Sequence, residues 1–367
     1  MKNKIILYVV LIVIISAGAV MGAYYYINAL YPTPASSMGV FAASETGRAA
    51  INNVSNSNFD AAISETQLYI TSHPKDTEAL LFLAATYGQR ASVSSATEKS
   101  QYADKAIDAS QRVLSLDAKN AEAYRIIGYG HQIKQEYSVA FEAYNKSISL
   151  NPNADLTFAS RGQAYRLSGD YVKAESDFKT ALSINQKNQL ALIGLASVDV
   201  LNGNNTKAQA LLEKLLASGS ENIIYEVQAN ILLGNISEQT SVKDARAYYT
   251  QALAIEPQNP LIITLLARVK YADILNTTLS SKGKDPSIYP GIQDVIADFN
   301  ASLALNPNMT LTYFSLGKVS EGLQDTAKAT SYLETASAKV ATDSALDASE
   351  KISMQQKITA ELNAIKK

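Results

Sequence analysis

The 367-residue chain has no cysteine, no tryptophan, only two histidines, and no marked excess of either charge. Each absence closes off a class of function. Without cysteine there is no disulfide framework, no thiolate metal site, no cysteine nucleophile and no lipid-bearing cysteine behind a leader. The histidines, His73 and His131, are well separated in the sequence, so neither a zinc site nor a Ser-His-Asp triad assembles around them. His131 reads as a filler of a helix packing position rather than as a base. Thirty-two basic residues against thirty-four acidic ones leave a net charge of −2, which argues against a nucleic-acid surface. Seventeen glycines and nine prolines are too few for a loop-rich β protein. Gly128-x-Gly130 falls inside a predicted helix and not after a strand, so it is no phosphate loop. These observations imply no cofactor, no metal and no enzyme. What the chain does have is 47% hydrophobic residues, enough for a substantial core.

The hydrophobic residues are ordered by a repeat. Between Ala121 and Asn188 the series Tyr124, Ile127, Gly128, Ala140, Tyr144 and Pro152 returns 34 positions later as Phe158, Arg161, Gly162, Ala174, Phe178 and Gln186. Tyr124, Ile127, Gly128 and His131 recur at i, i+3, i+4 and i+7, which places them on one helix face. Tyr137, Ala140, Phe141, Tyr144, Ser147 and Ile148 form a second such face. Asn151-Pro152-Asn153 then ends the helix, because proline lacks the N–H and restricts its predecessor. Gly128 and Ala140 are small where two helices must approach closely.

A repeat of this length, with an aromatic residue, a glycine four positions on, Ala-x-x-x-aromatic and a helix-ending proline, resembles the tetratricopeptide repeat (TPR). The resemblance extends over 43–343 as about eight units. Residues 43–76 have a good second helix but a first one interrupted by Asn52, Asn53 and Ser55 to Asn58. The following units carry Leu80, Leu83 and Ala84, then Leu192, Leu195 and Ala196, then Ala229, Ala245 and Tyr249, then Leu266, Ala267 and Phe299, then Tyr313, Leu316, Gly317 and Leu333. Two insertions, at Ser92–Lys99 and Asn276–Pro290, fall between first and second helices; they are either loops on one edge or lengthened helices. From Asp343 the spacing of Leu346, Ile352, Ile358, Leu362 and Ile365 predicts an amphipathic helix over 344–367 that caps the open end. The expected fold is therefore an all-α, right-handed solenoid of TPR-like hairpins.

One stretch stands outside the array. After the short stub 1–4, the uncharged run from Ile5 to Ile27 gives roughly 35 Å of helix, enough to cross a ~30 Å hydrocarbon core. Tyr24, Tyr25 and Tyr26 suit a headgroup region. Lys2 and Lys4 precede the run and no basic residue follows until Arg48, so the positive-inside rule leaves the N-terminus cytoplasmic and the array extracytoplasmic. The competing reading is a signal peptide cleaved near Ala19, with a secreted product. Residues 28–42, including Pro32 and Pro34, form a linker.

In TPR proteins the first helix of each unit lines a concave face, and contacts come mostly from repeat positions two, five, nine and twelve. By that resemblance these are Glu122, Arg125, Tyr129 and Gln132, then Leu156, Ala159, Gln163 and Arg166, with Arg268, Tyr271, Phe314 and Lys318 further on. Arg125, Arg166, Arg268 and Lys318 offer cations to carboxylates, and Tyr129 and Tyr271 offer aromatic contacts. Chaperone-tail binding is not implied, since that clamp needs an asparagine where Tyr129 stands. Arg161 occupies a place where the family packs a leucine; it either reaches out between helices or pairs with an acid. The expected function is a membrane-anchored, non-catalytic scaffold for a protein or peptide partner, in envelope assembly or secretion. The alternatives are an envelope glycan or small-ligand binder using the same groove and, third, an enzyme whose acidic residues gather in one cleft. Self-association through exposed end faces is left open, with the first unit at 43–76 as a candidate edge.

Overall fold

The computed structural model describes residues 40–55, 58–94, 96–217, 223–280, 291–343, 346 and 348–365. The apolar run at 5–27 and nearly all of the linker lie outside these residues. Among those described, no helix is long and apolar enough to cross a membrane.

The described residues form eighteen helices and no strand. The first nine are α1 (Val40–Ala43), α2 (Glu45–Ser55), α3 (Phe59–Ser72), α4 (Thr77–Ser92), α5 (Ala96–Leu116), α6 (Ala121–Ile133), α7 (Tyr137–Leu150), α8 (Asp155–Leu167) and α9 (Tyr171–Ile184). Then follow α10 (Gln189–Leu201), α11 (Asn205–Ala217), α12 (Ile223–Ser237), α13 (Val242–Ile255), α14 (Pro260–Ser280), α15 (Ile292–Leu305), α16 (Thr310–Gly322), α17 (Thr326–Lys339) and α18 (Ala348–Ile365). Even-numbered helices from α2 to α16 are the first helices of successive pairs, and α18 stands alone at the end. In spite of its asparagines the first pair has a complete first helix: α2 runs eleven residues and stops only at Ser55.

The chain divides into two compact units. The first takes the described residues up to Val198, with the start of α12, and the second takes Asp199–Ala217 and Glu226 onward. In the first unit the core gathers Phe41, Tyr69, Ile70, Leu80, Phe82 and Ile126. Short helix α1 belongs to this core: the Phe41 ring lies 5.0 Å from Tyr69 and 5.2 Å from Phe82, and Phe41 N donates to Glu78 Oε2 at 3.0 Å. In the second unit Val227, Tyr249, Ile262, Phe314, Leu333 and Ile358 form the main cluster.

The repeat is legible in the packing of the pairs. In α6/α7 a Cβ on Gly128 would meet the Tyr144 ring at 2.8 Å, and in α8/α9 a Cβ on Gly162 would meet Phe178 at 3.0 Å. Tyr144 and Phe178 are fully buried, each contributing about 2–3 kcal/mol of apolar burial. The larger the ring on the second helix, the less room remains on the first, and glycine is what fits.

The turns repeat as well. Gln135, Gly169 and Gly203, each 34 positions after the last, have φ of +62°, +88° and +76°, and Gln324 has +60°. One left-handed residue reverses the chain between first and second helices, and glycine takes that conformation without the side-chain penalty. Side-chain caps then start many helices: Asp76 accepts from the N–H groups of Glu78 and Ala79, Asn120 from Ala123, Asp170 from Lys173 and Asp325 from Lys328.

Both insertions lengthen helices. Helix α5 has 21 residues where the regular second helices have 14, so part of Ser92–Lys99 is an added N-terminal stretch. Helix α14 also has 21, taking in Asn276–Ser280, while 281–290 lie outside the described residues.

Candidate functional site

First helices pack against each other within each unit, α4 on α6 and α6 on α8 in the first, α14 on α16 in the second. Residues far apart in sequence thus share a face. Arg125, Gln132, Gln163 and Arg166 are 3, 8, 6 and 4% exposed. Arg125 donates from Nε to Glu122 at 2.9 and 3.1 Å, and from Nη1 to Ser160 Oγ on α8 at 3.3 Å. Gln132 Oε1 accepts from the Tyr144 hydroxyl at 2.8 Å, and Gln163 Oε1 accepts from Arg166 Nε at 3.1 Å. Ala159 is fully buried and Leu156 packs at the edge of the first core. Tyr129 turns its ring onto Gly88 of α4, where an added Cβ would lie 3.0 Å away; burial pushes its hydroxyl well above the usual tyrosine range, outweighing the opposing effects of Arg125 and Ser92.

In the second unit Arg268 Nη2 donates to Glu238 Oε2 at 2.8 Å. Glu238 Oε1 lies 2.7 Å and Asn235 Oδ1 2.6 Å from the Tyr249 hydroxyl. Burial first, and then the charge of Glu238, raise that hydroxyl far above its ordinary pKa. Tyr271 is pushed up to about 12 by burial and by Glu321, and its hydroxyl fills the space a side chain on Gly322 would need. Lys318 bonds Glu321 at 2.5 Å and Glu361 at 2.9 Å; burial lowers its pKa, but the two carboxylates more than restore it. Arg125, Arg268 and Lys318 therefore each have a carboxylate from this chain at hand.

A feature that the spacing did not disclose is where buried polarity sits. Second helices hide few polar side chains, such as Thr66, Ser110, Ser147, Asp177 and Ser302. First helices hide many: Thr86 and Gln89 on α4, Arg125 and Gln132 on α6, Ser160, Gln163 and Arg166 on α8, Gln228, Asn230 and Asn235 on α12, and Thr310, Thr312 and Ser315 on α16. Burying such groups is unfavourable unless they are bonded. Among the described residues, fully buried Gln89 has no partner for either amide atom, and Asn230 Oδ1, Asn235 Nδ2, Arg268 Nη1 and Thr310 Oγ1 also lack one. All five residues are on first helices. The only sequence signal was an amide set among alanines and leucines, as Gln89 is in α4.

Arg161 pairs with an acid: Nε and Nη2 donate to the two carboxylate oxygens of Asp177 on α9, each at 2.7 Å, and Nη1 donates to Asn145 on α7 at 2.5 Å. His131 is no core filler. Its Nδ1 lies 2.6 Å from Glu136 in the turn after α6. A cleft of about 480 Å³ is lined by Ile70 of α3, Leu83 and Tyr87 of α4, and Lys105 and Arg112 of α5. Among the described residues, no group of His, Asp and Glu side chains is arranged to hold a metal ion.

Comparison with known proteins bears on the fold. Residues 165–231 match the tetratricopeptide repeat model. The crystal structure of the APC/C hetero-tetramer Cut9-Hcn1 aligns with 88% of this chain at 14% identity and a TM-score of 0.60. The fold is TPR-like. The chain spans 57% of the length of that relative. PilW, a type IV pilus biogenesis factor, aligns with 59% of this chain and 92% of its own at 18% identity, with a TM-score of 0.48. A thermophilic TPR protein of Thermus thermophilus aligns with 51% of this chain and 96% of its own at 19% identity, with a TM-score of 0.44. No curated protein sequence matches the chain. TPR-like arrays as a class present extended concave surfaces.

Proposed function

We propose that the chain is a non-catalytic scaffold whose first-helix face binds a protein or peptide partner. The observation that carries this reading is the concentration of buried polar side chains on the first helices, several with atoms unsatisfied among the described residues. A face serving only to pack repeats would be more stable filled with apolar groups of the same shape. Retained amides and guanidiniums suit the peptide groups and carboxylates of a bound chain. Arg125, Gln132, Gln163 and Arg166 in the first unit, and Arg268 and Lys318 in the second, supply the polar contacts. Tyr129 and Tyr271 shape the walls between neighbouring first helices.

The uncharged run Ile5 to Ile27, preceded by Lys2 and Lys4, supports a membrane tether that leaves the array on the extracytoplasmic side, where envelope assembly or secretion takes place. The test is a crosslinking pull-down from native membranes that compares the intact protein with an Arg125→Glu, Arg166→Glu variant of equal helicity and melting temperature. The expected result is a specific protein recovered by the intact chain and lost by the variant. Equal recovery by both would remove the first unit's first-helix face as the site.

A further inference from the structure

Helix α18 caps the second unit with Met354 and Ile358, both fully buried, in one cluster with Leu311, Phe314, Leu333 and Ala336. It is tied to α17 by Gln355 Nε2, which donates to Ser337 Oγ at 2.7 Å, and to the turn after α17 by Lys351 Nζ, which donates to Ala341 O at 3.0 Å. Its later turns make contacts that a cap does not need. Glu361 accepts from Lys318 Nζ at 2.9 Å, and Lys318 holds a ligand-contact position of first helix α16. One turn earlier on α18, burial and then the positive charge of Arg268 on α14 push Lys357 down to about 8.

The geometry points to α18 as an internal stand-in for the partner of the second unit: it occupies the Lys318 end of the first-helix face and yields it to a competing amphipathic helix. The partner helix presents two apolar residues one turn apart and a carboxylate about one turn beyond, the pattern of Met354, Ile358 and Glu361. This inference rests on the first-helix face being the binding surface. Apolar burial and one ion pair seat α18, and tethering gives it a high effective concentration. A free helix with the same pattern competes for the same seat.

The test uses the full-length chain and a labelled synthetic peptide of residues 348–365. Glu361→Lys sets a cation against Lys318 and unseats α18 in cis, leaving Lys318 to the Glu361 of the added peptide. The expected result is binding about tenfold tighter than to the unmodified chain. In the Lys318→Glu, Glu361→Lys double variant the internal pair is restored with its charges exchanged and the added peptide's Glu361 meets a like charge at position 318, so affinity falls to the unmodified level or below it. Equal peptide affinity for Glu361→Lys and the unmodified chain, at equal melting temperature, would overturn the inference. Loss of the second unit's cooperative melting in Glu361→Lys would overturn it too, because α18 would then be an inseparable part of the core. Failure here is distinct from failure of the binding face itself. If only the reading of α18 fails, the native partner is still recovered by the intact chain and lost by Arg125→Glu, Arg166→Glu.

Discussion

Arg161 on α8 and Asp177 on α9 are joined by two parallel hydrogen bonds of 2.7 Å across the hairpin, with their side chains only 18 and 8% exposed. Burial opposes the arginine's charge, yet Asp177 holds its pKa above the ordinary value. A leucine here would pack but leave a buried carboxylate unpaired. Arg161→Leu is expected to destabilise the first unit by about 2–4 kcal/mol, since breaking a buried pair is costly and partial exposure reduces the cost. Arg161→Leu combined with Asp177→Leu should recover most of that loss. Urea denaturation of the two variants measures the difference; a double variant no more stable than the single one would refute the pairing argument.

The left-handed turn residue gives a second test. Gly169 has φ +88° and nothing within 4 Å of an added Cβ, so Gly169→Ala isolates the backbone penalty from any clash. The expected loss is about 1 kcal/mol. At the matching place Gln135 already bears that penalty, and Gln135→Gly should gain somewhat less than about 1 kcal/mol, because glycine also loosens the unfolded chain. Thermal melting reads both signs. A Gly169→Ala chain as stable as the original would show that the turn relaxes.

Much of this fold could be read from the residues, for a physical reason. Gly128 and Tyr144, or Gly162 and Phe178, are a small-and-large pair fixed by the distance between two helices, and such pairs recur at constant spacing wherever the hairpin does. The turn at 135, 169 and 203 follows the same rule. The alternatives left open by the sequence depended on partners in another helix. The acid for Arg161 is sixteen residues away on α9, and no local pattern pointed to it. The glutamate for His131 lies in a turn, although helical periodicity alone assigned the histidine to the core. The insertions had no periodicity strong enough to separate a longer helix from a loop. The surroundings of the candidate site residues were not legible: Glu122, Glu238 and Glu361 beside Arg125, Arg268 and Lys318, and the unsatisfied amide of Gln89, required coordinates.

Lys357 makes the seat of α18 sensitive to pH. Its pKa falls from 10.5 to about 8 through burial and then Arg268, so the charged form disfavours the folded state. The charge acting on it is that of Arg268, which is itself paired with Glu238. Below pH 8 the lysine is charged folded and unfolded, and the penalty is complete. As pH rises from about 8 to 10.5 the folded form alone has lost its proton, so the penalty disappears progressively. Hydrogen exchange of the α18 amides, corrected for intrinsic rates, should therefore show more protection at about pH 9.5 than at about pH 7.5, and Lys357→Gln should abolish the difference. Equal protection at both pH values in the original chain would contradict this account.

The central claim is that polarity buried on first helices is kept for recognition at some cost to stability, and Gln89 tests it most directly. Neither of its amide atoms has a partner. Gln89→Leu removes two unsatisfied groups while keeping a similar volume, and should raise stability by about 1 kcal/mol. The measurement is the melting temperature of this variant taken together with its recovery of the partner captured by the intact chain. The account predicts a higher melting temperature with weakened partner recovery. A more stable chain that recovers its partner undiminished, or a less stable one, would contradict it.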